Sequence, residues 1–130
     1  MVYQIQQDPN WCGPTTFAVI AGYLGHGWSG TWQNQQSLAA TLLGTTTNGT
    51  DWSQATSYEA SHPQIPSAYR TGYPMRDALN FRISSNFYVP VALASSPSAT
   101  EINTLRANLV ASTDTVTKLA VAAGGRGYIW

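Results

Sequence analysis

Cys12, the only cysteine of this chain, lies where a helix is predicted to begin. Residues 8–10, Asp-Pro-Asn, are typical of a turn, and Pro14 suits the first turn of a helix, where its missing N–H is not needed. The free N–H groups and the positive dipole end of a helix favour the thiolate, which is the reactive form of cysteine. This arrangement therefore predicts a cysteine nucleophile at residue 12.

Three residues close to Cys12 in the sequence suit acyl transfer. Gln6 lies six residues earlier, and its side-chain amide is expected to donate to an oxyanion beside the Cys12 backbone N–H. Gly13 leaves room for a substrate to approach the sulfur, and Trp11 borders the same position. We therefore predict Cys12 and Gln6 as catalytic residues, and Trp11 and Gly13 as substrate-binding residues.

Three helices are expected to position this segment. Apolar residues recur at helical spacing over residues 13–24, 35–43 and 74–81, and glycine ends the first two of these stretches. Pro74 opens the third helix. The residues expected to face the core are Phe17, Ile20 and Leu24, then Leu38, Leu42 and Leu43, and finally Met75, Ala78 and Leu79.

The C-terminal half is predicted to combine one helix with two strands. Residues 86–94 read as a strand, which Pro90 restricts to a sheet edge or interrupts. Ser98 and Glu101 form a capping box at the start of a further helix, and residues 117–123 could be a buried strand. These elements indicate an α+β fold.

The N-terminal pattern, Gln-x5-Cys-Gly-Pro, resembles that of the C39-like group of papain-fold peptidases, in particular its bacterial secreted or cell-wall branch. Further similar segments are residues 36–42, 49–50 and 75–80, so the resemblance covers about residues 4–111. It implies a papain-like cysteine peptidase fold with Cys12 as nucleophile and Gln6 as oxyanion donor. It also implies hydrolysis of an amide bond through a Cys12 thioester, and a peptide of the cell wall or a secreted peptide as substrate.

The chain departs from this pattern in its histidines. The family places a histidine base on a strand well after the helical half, followed by an Asp or Asn, whereas no histidine follows His62 here. We expect residues 1–130 to form a single papain-like domain with a reduced or incomplete antiparallel sheet, truncated at its C-terminal end. A partner chain could supply the His and Asp, the domain could be an inactive peptide-binding relative, or His26 or His62 could act as base.

Composition excludes several other classes of function. Six Lys and Arg balance six Asp and Glu, and charged residues make up only 9% of the chain, so a nucleic-acid interface is not expected. One cysteine excludes an internal disulfide, and two widely spaced histidines do not form a metal site. We expect no cofactor and no metal.

The composition and the expected incomplete sheet also bear on location and partners. The low charge fits an extracellular or cell-wall-associated protein, although residues 1–10 do not form a signal peptide, and no apolar run is long enough to span a membrane. An incomplete sheet would expose an edge, so pairing with a partner chain or with a second copy is expected.

Overall fold

The computed structural model describes residues 5–51, 64–89 and 96–111, with two short strands at 122–123 and 128–129. Four α-helices are present in these ranges: α1 is Cys12–Tyr23, α2 is Trp32–Leu42, α3 is Pro74–Arg82 and α4 is Ala99–Ala111. A short 3₁₀ helix, Ser67–Tyr69, precedes α3. The two strands are β1, Ala122–Ala123, and β2, Tyr128–Ile129.

Helix α1 confirms the predicted first helix. It begins at Cys12, with Trp11 as the residue before the first turn, and Pro14 is fully buried in that turn. Gly25 has a φ of 77°, a left-handed conformation that glycine adopts without strain, and so lets the chain leave the helix.

Helix α2 begins three residues earlier than the predicted residue 35. The Thr31 side chain accepts a hydrogen bond from the Asn34 N–H at 3.3 Å and so caps the helix at Trp32. Leu42 and Leu43 are buried as predicted, but Leu38 is 43% exposed. The prediction for Leu38 was wrong because Gln36, which is 0% exposed, occupies the buried face together with Ala39.

The core lies where α1 packs against both α2 and α3. It is built from aliphatic and aromatic side chains with a few alanines, which let the helices approach closely. Its most buried apolar members are Phe17, Ala18 and Ala21 from α1, Ala39, Leu42 and Leu43 around the end of α2, Ala78 and Leu79 from α3, and Ile65 and Tyr88 from the loops.

Residues 86–89 do not form the predicted strand, and residues 90–94 lie outside the described residues. Asn80 of α3 explains the difference. Its buried side chain donates to the Tyr88 carbonyl and accepts from the Tyr88 N–H, both at 2.9 Å. A side-chain amide thus takes the bonds that a neighbouring strand would otherwise make.

Three buried polar side chains hold loops to the helices in the same manner. Gln36, Asp77 and Asn80 are each 0% exposed, and each binds backbone groups of a segment outside its own helix. Burying a polar side chain is favourable only when its hydrogen bonds are made, so these contacts define where the loops run.

Helix α3 confirms the predicted helix at 74–81, and α4 confirms the predicted capping box. The Glu101 carboxylate accepts from the Ser98 N–H at 2.8 Å, and the Ser98 hydroxyl accepts from the Glu101 N–H at 3.2 Å. Ile102 in the first turns of α4 is 38% exposed, so this helix does not bury that residue in the core.

Strands β1 and β2 form a two-stranded antiparallel ladder in which Ala122 pairs with Ile129. The predicted strand at 117–123 is confirmed only at 122–123, since 117–121 lie outside the described residues. A larger antiparallel sheet therefore stays a prediction, as does the single domain over residues 1–130. No helix in the described ranges is long and apolar enough to cross a membrane.

Candidate active site

Cys12 is the first residue of α1 and is half-buried. A tight turn delivers the chain to it: the Trp11 N–H donates to the Asp8 carbonyl at 3.0 Å, and the Asp8 carboxylate accepts from the Asn10 N–H at 2.8 Å. Asp8 therefore closes the predicted turn with both its backbone and its side chain. This turn places the thiol at the N-terminal end of a twelve-residue helix.

The first turn of α1 leaves two backbone donors beside the thiol. Its first helical hydrogen bond runs from the Thr15 N–H to the Trp11 carbonyl at 2.9 Å, and Pro14 has no N–H. The N–H groups of Cys12 and Gly13 therefore have no partner within the helix, and Trp11 makes no side-chain cap. Both can donate to negative charge that develops next to the sulfur.

Gln6 lies on the segment that leads into this turn and is also half-buried. Its side-chain Nε2 donates to the Asp8 carbonyl, the same oxygen that accepts from the Trp11 N–H. The Gln6 amide is thus held on the turn that ends one residue before Cys12. A primary amide has two N–H donors, so one remains for another acceptor.

Gln36 is a residue of this site that the sequence reasoning missed. Its buried side chain accepts from the Gln7 N–H at 3.2 Å and donates to the Ile5 carbonyl at 2.9 Å, on either side of Gln6. The spacing of the sequence indicates that Gln36 is buried, because residues 36, 39, 40 and 43 lie on one face of a helix. Apolar character alone favours Leu38 over Gln36 for the buried position, and it selects the wrong residue here.

An open cavity of about 500 Å³ lies beside Trp11. Its other lining residues come from the second half of α2 and the turn after it, and none carries a charge. They are Ser37, Ala40, Thr41, Gly44 and Thr45. Of the predicted substrate-binding residues, Trp11 borders this cavity, whereas Gly13 is buried in the first turn of α1.

The part of the chain that contains Gln6 and Cys12 also matches a known family. Residues 1–100 match the model of the Peptidase_C39 like family. This chain belongs to that family. The C39-like membership connects the chain with cysteine peptidases and supports a papain-like fold, as the Gln-x5-Cys-Gly-Pro pattern indicated. No curated protein and no solved structure matches the chain significantly.

His26, the histidine of this C39-like chain that lies in the described ranges, is not brought to Cys12. His26 follows α1 at its C-terminal end, and twelve helical residues separate the two ends by roughly 17 Å at about 1.5 Å per residue. His62 lies outside the described residues. Within the described ranges, no three His, Cys, Asp or Glu side chains are grouped closely enough to hold a metal ion.

Proposed function

We propose that this C39-like domain carries out acyl transfer at Cys12 and hydrolyses amide bonds of peptides through a thioester. The observation that carries the proposal is the position of Cys12 at the start of α1 with the Gln6 amide bound to the turn just before it. Membership of a family of cysteine peptidases supports the same chemistry.

In the proposed reaction the Cys12 thiolate attacks the carbonyl carbon of the peptide bond. The new C–S bond forms as an electron pair moves to the carbonyl oxygen, and the Cys12 N–H and the Gln6 amide donate to that oxyanion. The intermediate collapses, the amine leaves with a proton supplied by a general acid, and a thioester remains. Water then attacks the thioester carbonyl, the C–S bond breaks, and the acyl group leaves as a carboxylic acid while the thiol is restored.

A second candidate is a peptide-binding domain that has lost or never possessed its base. The observation that favours it is the distance of His26 from Cys12 along α1, since His26 is the histidine in the described ranges. A partner chain that supplies a histidine and an acidic residue would reconcile this observation with catalysis. The low charge content supports an extracellular or cell-wall location for either function.

One experiment with p-nitrophenyl acetate tests whether Cys12 is an activated nucleophile. The Cys12 thiolate displaces p-nitrophenolate from the ester, which forms an acetyl thioester without the need to protonate the leaving group. We expect a burst of p-nitrophenolate equimolar with the native chain, and the acetyl mass on the peptide that contains Cys12. The urea-unfolded chain and Cys12→Ala serve as controls for unassisted reaction and for other nucleophiles.

The steady state after the burst shows whether the chain itself supplies a base. Continued turnover would mean that the chain activates water, whereas a burst without turnover would mean that it has no base of its own, as in the binding candidate or in an enzyme completed by a partner chain. If the native chain reacts no faster than the unfolded chain, Cys12 is not an activated nucleophile. The peptidase proposal would then be abandoned in favour of peptide binding.

A further inference from the structure

The segment that carries Gln6 is held in place by one side chain of α2. Gln36 Nε2 donates to the Ile5 carbonyl and Gln36 Oε1 accepts from the Gln7 N–H. These two backbone groups lie on either side of residue 6, so the Gln36 amide binds this segment as a neighbouring strand would. The backbone position of Gln6 therefore depends on Gln36.

The same side chain also connects the segment to the helix that carries the thiol. Gln36 Oε1 accepts from the Thr15 hydroxyl at 2.7 Å, and Thr15 lies one turn after Cys12 in α1. Trp32 adds a second donor from α2, since its Nε1 donates to the Ile5 carbonyl at 3.0 Å. Gln36 thus joins three parts of the chain: the segment with Gln6, helix α1 and its own helix.

These contacts differ from ordinary surface hydrogen bonds in their burial. The Gln36 side chain is 0% exposed, whereas Ile5 is 78% exposed. Ile5 is the apolar residue among residues 5–7, and because its side chain is exposed it does not anchor this segment in the core. The order of this exposed segment therefore rests on polar bonds to a buried amide.

We propose that Gln36 is a positioning residue that sets Gln6 relative to Cys12 and so assembles the oxyanion site. This inference rests on the proposed acyl transfer at Cys12. Gln36 does not touch the substrate; it acts through the backbone on both sides of Gln6. Loss of Gln36 should then impair reactions that form an oxyanion and spare reactions of the thiol that form none.

Two reagents report these two properties separately. Acylation by p-nitrophenyl acetate passes through an oxyanion, whereas alkylation by iodoacetamide displaces iodide at a saturated carbon and forms none. The ratio of the acylation rate to the alkylation rate therefore measures the oxyanion site independently of thiolate content. Removal of one oxyanion donor costs about 100-fold to 1,000-fold in rate, so we expect Gln6→Ala to lower the ratio by about that factor.

Gln36→Leu is expected to lower the ratio toward the value for Gln6→Ala, by at least about 10-fold. Trp32→Phe, which removes one of the two donors to the Ile5 carbonyl, should lower the ratio less. The matched control is Gln33→Leu, the same change at an exposed position of the same helix, which should leave the ratio unchanged.

The pH dependence of the ratio in the conservative variant Gln36→Glu distinguishes a positioning role from a purely structural one. A protonated glutamic acid keeps a donor for the Ile5 carbonyl and an acceptor for the Gln7 N–H, whereas the carboxylate loses the donor. Burial favours the neutral acid, so the ratio for this variant should recover as the pH falls from about 8 toward about 6. The wild-type ratio should change little over the same range, because the thiolate content cancels.

Hydrogen exchange tests the positioning itself without any reaction. In Gln36→Leu, we expect faster exchange at the Gln7 and Trp11 N–H groups while protection in α1 and α3 is retained. Suppose that Gln6→Ala lowers the ratio, but that Gln36→Leu matches the wild type both in the ratio and in hydrogen exchange. The positioning role of Gln36 is then overturned, while the peptidase proposal stands. If the wild type shows no burst, the peptidase proposal fails, and unchanged exchange in residues 5–11 would overturn the positioning role as well.

Discussion

Asp77 offers the sharpest test of how this fold holds its loops. The carboxylate is fully buried in the first turn of α3 and accepts hydrogen bonds from Thr71, Gly72 and Arg76. Its Oδ2 accepts from the N–H groups of Thr71 and Gly72 at 2.6 and 3.2 Å, and its Oδ1 accepts from the Thr71 hydroxyl at 2.6 Å and from Arg76 Nη1 at 3.0 Å. The perturbation is Asp77→Asn, which keeps the shape of the side chain.

The cost of this change follows from the four bonds. Asparagine keeps one oxygen and turns the other into an amide nitrogen, so two of the four donors lose their acceptor. Hydrogen bonds to a charged group contribute about 1.5–3 kcal/mol each, which gives a loss of about 3–6 kcal/mol. We expect the lower end, about 3 kcal/mol, because Arg76 also donates to the Tyr69 and Tyr88 carbonyls and is 15% exposed.

Urea unfolding followed by tryptophan fluorescence measures this loss. With an m-value of about 2 kcal/mol per molar urea, a loss of about 3 kcal/mol lowers the midpoint by about 1.5 M. Asp77→Ala removes both acceptor oxygens and leaves Arg76 without its buried partner, so its cost should exceed that of Asp77→Asn and approach about 5 kcal/mol. Circular dichroism at low urea establishes that each variant is folded before titration.

The matched control is Asp8→Asn, at a partly exposed site where asparagine can still accept from the Asn10 N–H. It should change the free energy of unfolding by less than about 0.5 kcal/mol. A change for Asp77→Asn as small as that of the control would refute the reasoning. It would mean that the loop at residues 71–72 finds other partners when the carboxylate is lost.

Two further predictions concern the core. Burial raises the pKa of Tyr88 above its ordinary value of 10.0, so the folded state holds the phenol proton more tightly than the unfolded state. This contribution to stability is present below about pH 10 and is lost as the pH rises through the folded pKa. The urea midpoint of Tyr88→Phe should therefore decline less than that of the wild type between about pH 9 and 11. Equal declines for the two proteins would contradict this prediction. Phe17→Ala, at a side chain with 0% exposure, should cost about 3–5 kcal/mol, whereas Val19→Ala in the same helix, at 39% exposure, should cost less than about 1 kcal/mol. Similar losses in urea unfolding for the two variants would show that α1 does not pack on the face described.

Local chemistry in the sequence determined the start of α1 and with it the position of Cys12. The turn at residues 8–10, the proline at residue 14 and the left-handed glycine at residue 25 each act on the backbone near their own position. The capping box of Ser98 and Glu101 is local in the same sense, since its partners lie three residues apart. The residues that match the family model, 1–100, include the motif around Cys12.

Only the tertiary structure decided which polar side chains are buried and which backbone groups they bind. Gln36 binds Ile5 across 31 positions of the chain and replaces Leu38 on the inner face of α2. Asn80 takes both backbone groups of Tyr88, so residues 86–89 do not form the strand that their composition favoured. A polar residue is favourable in a core only where its partners arrive from distant parts of the chain, and local spacing carries no information about those partners.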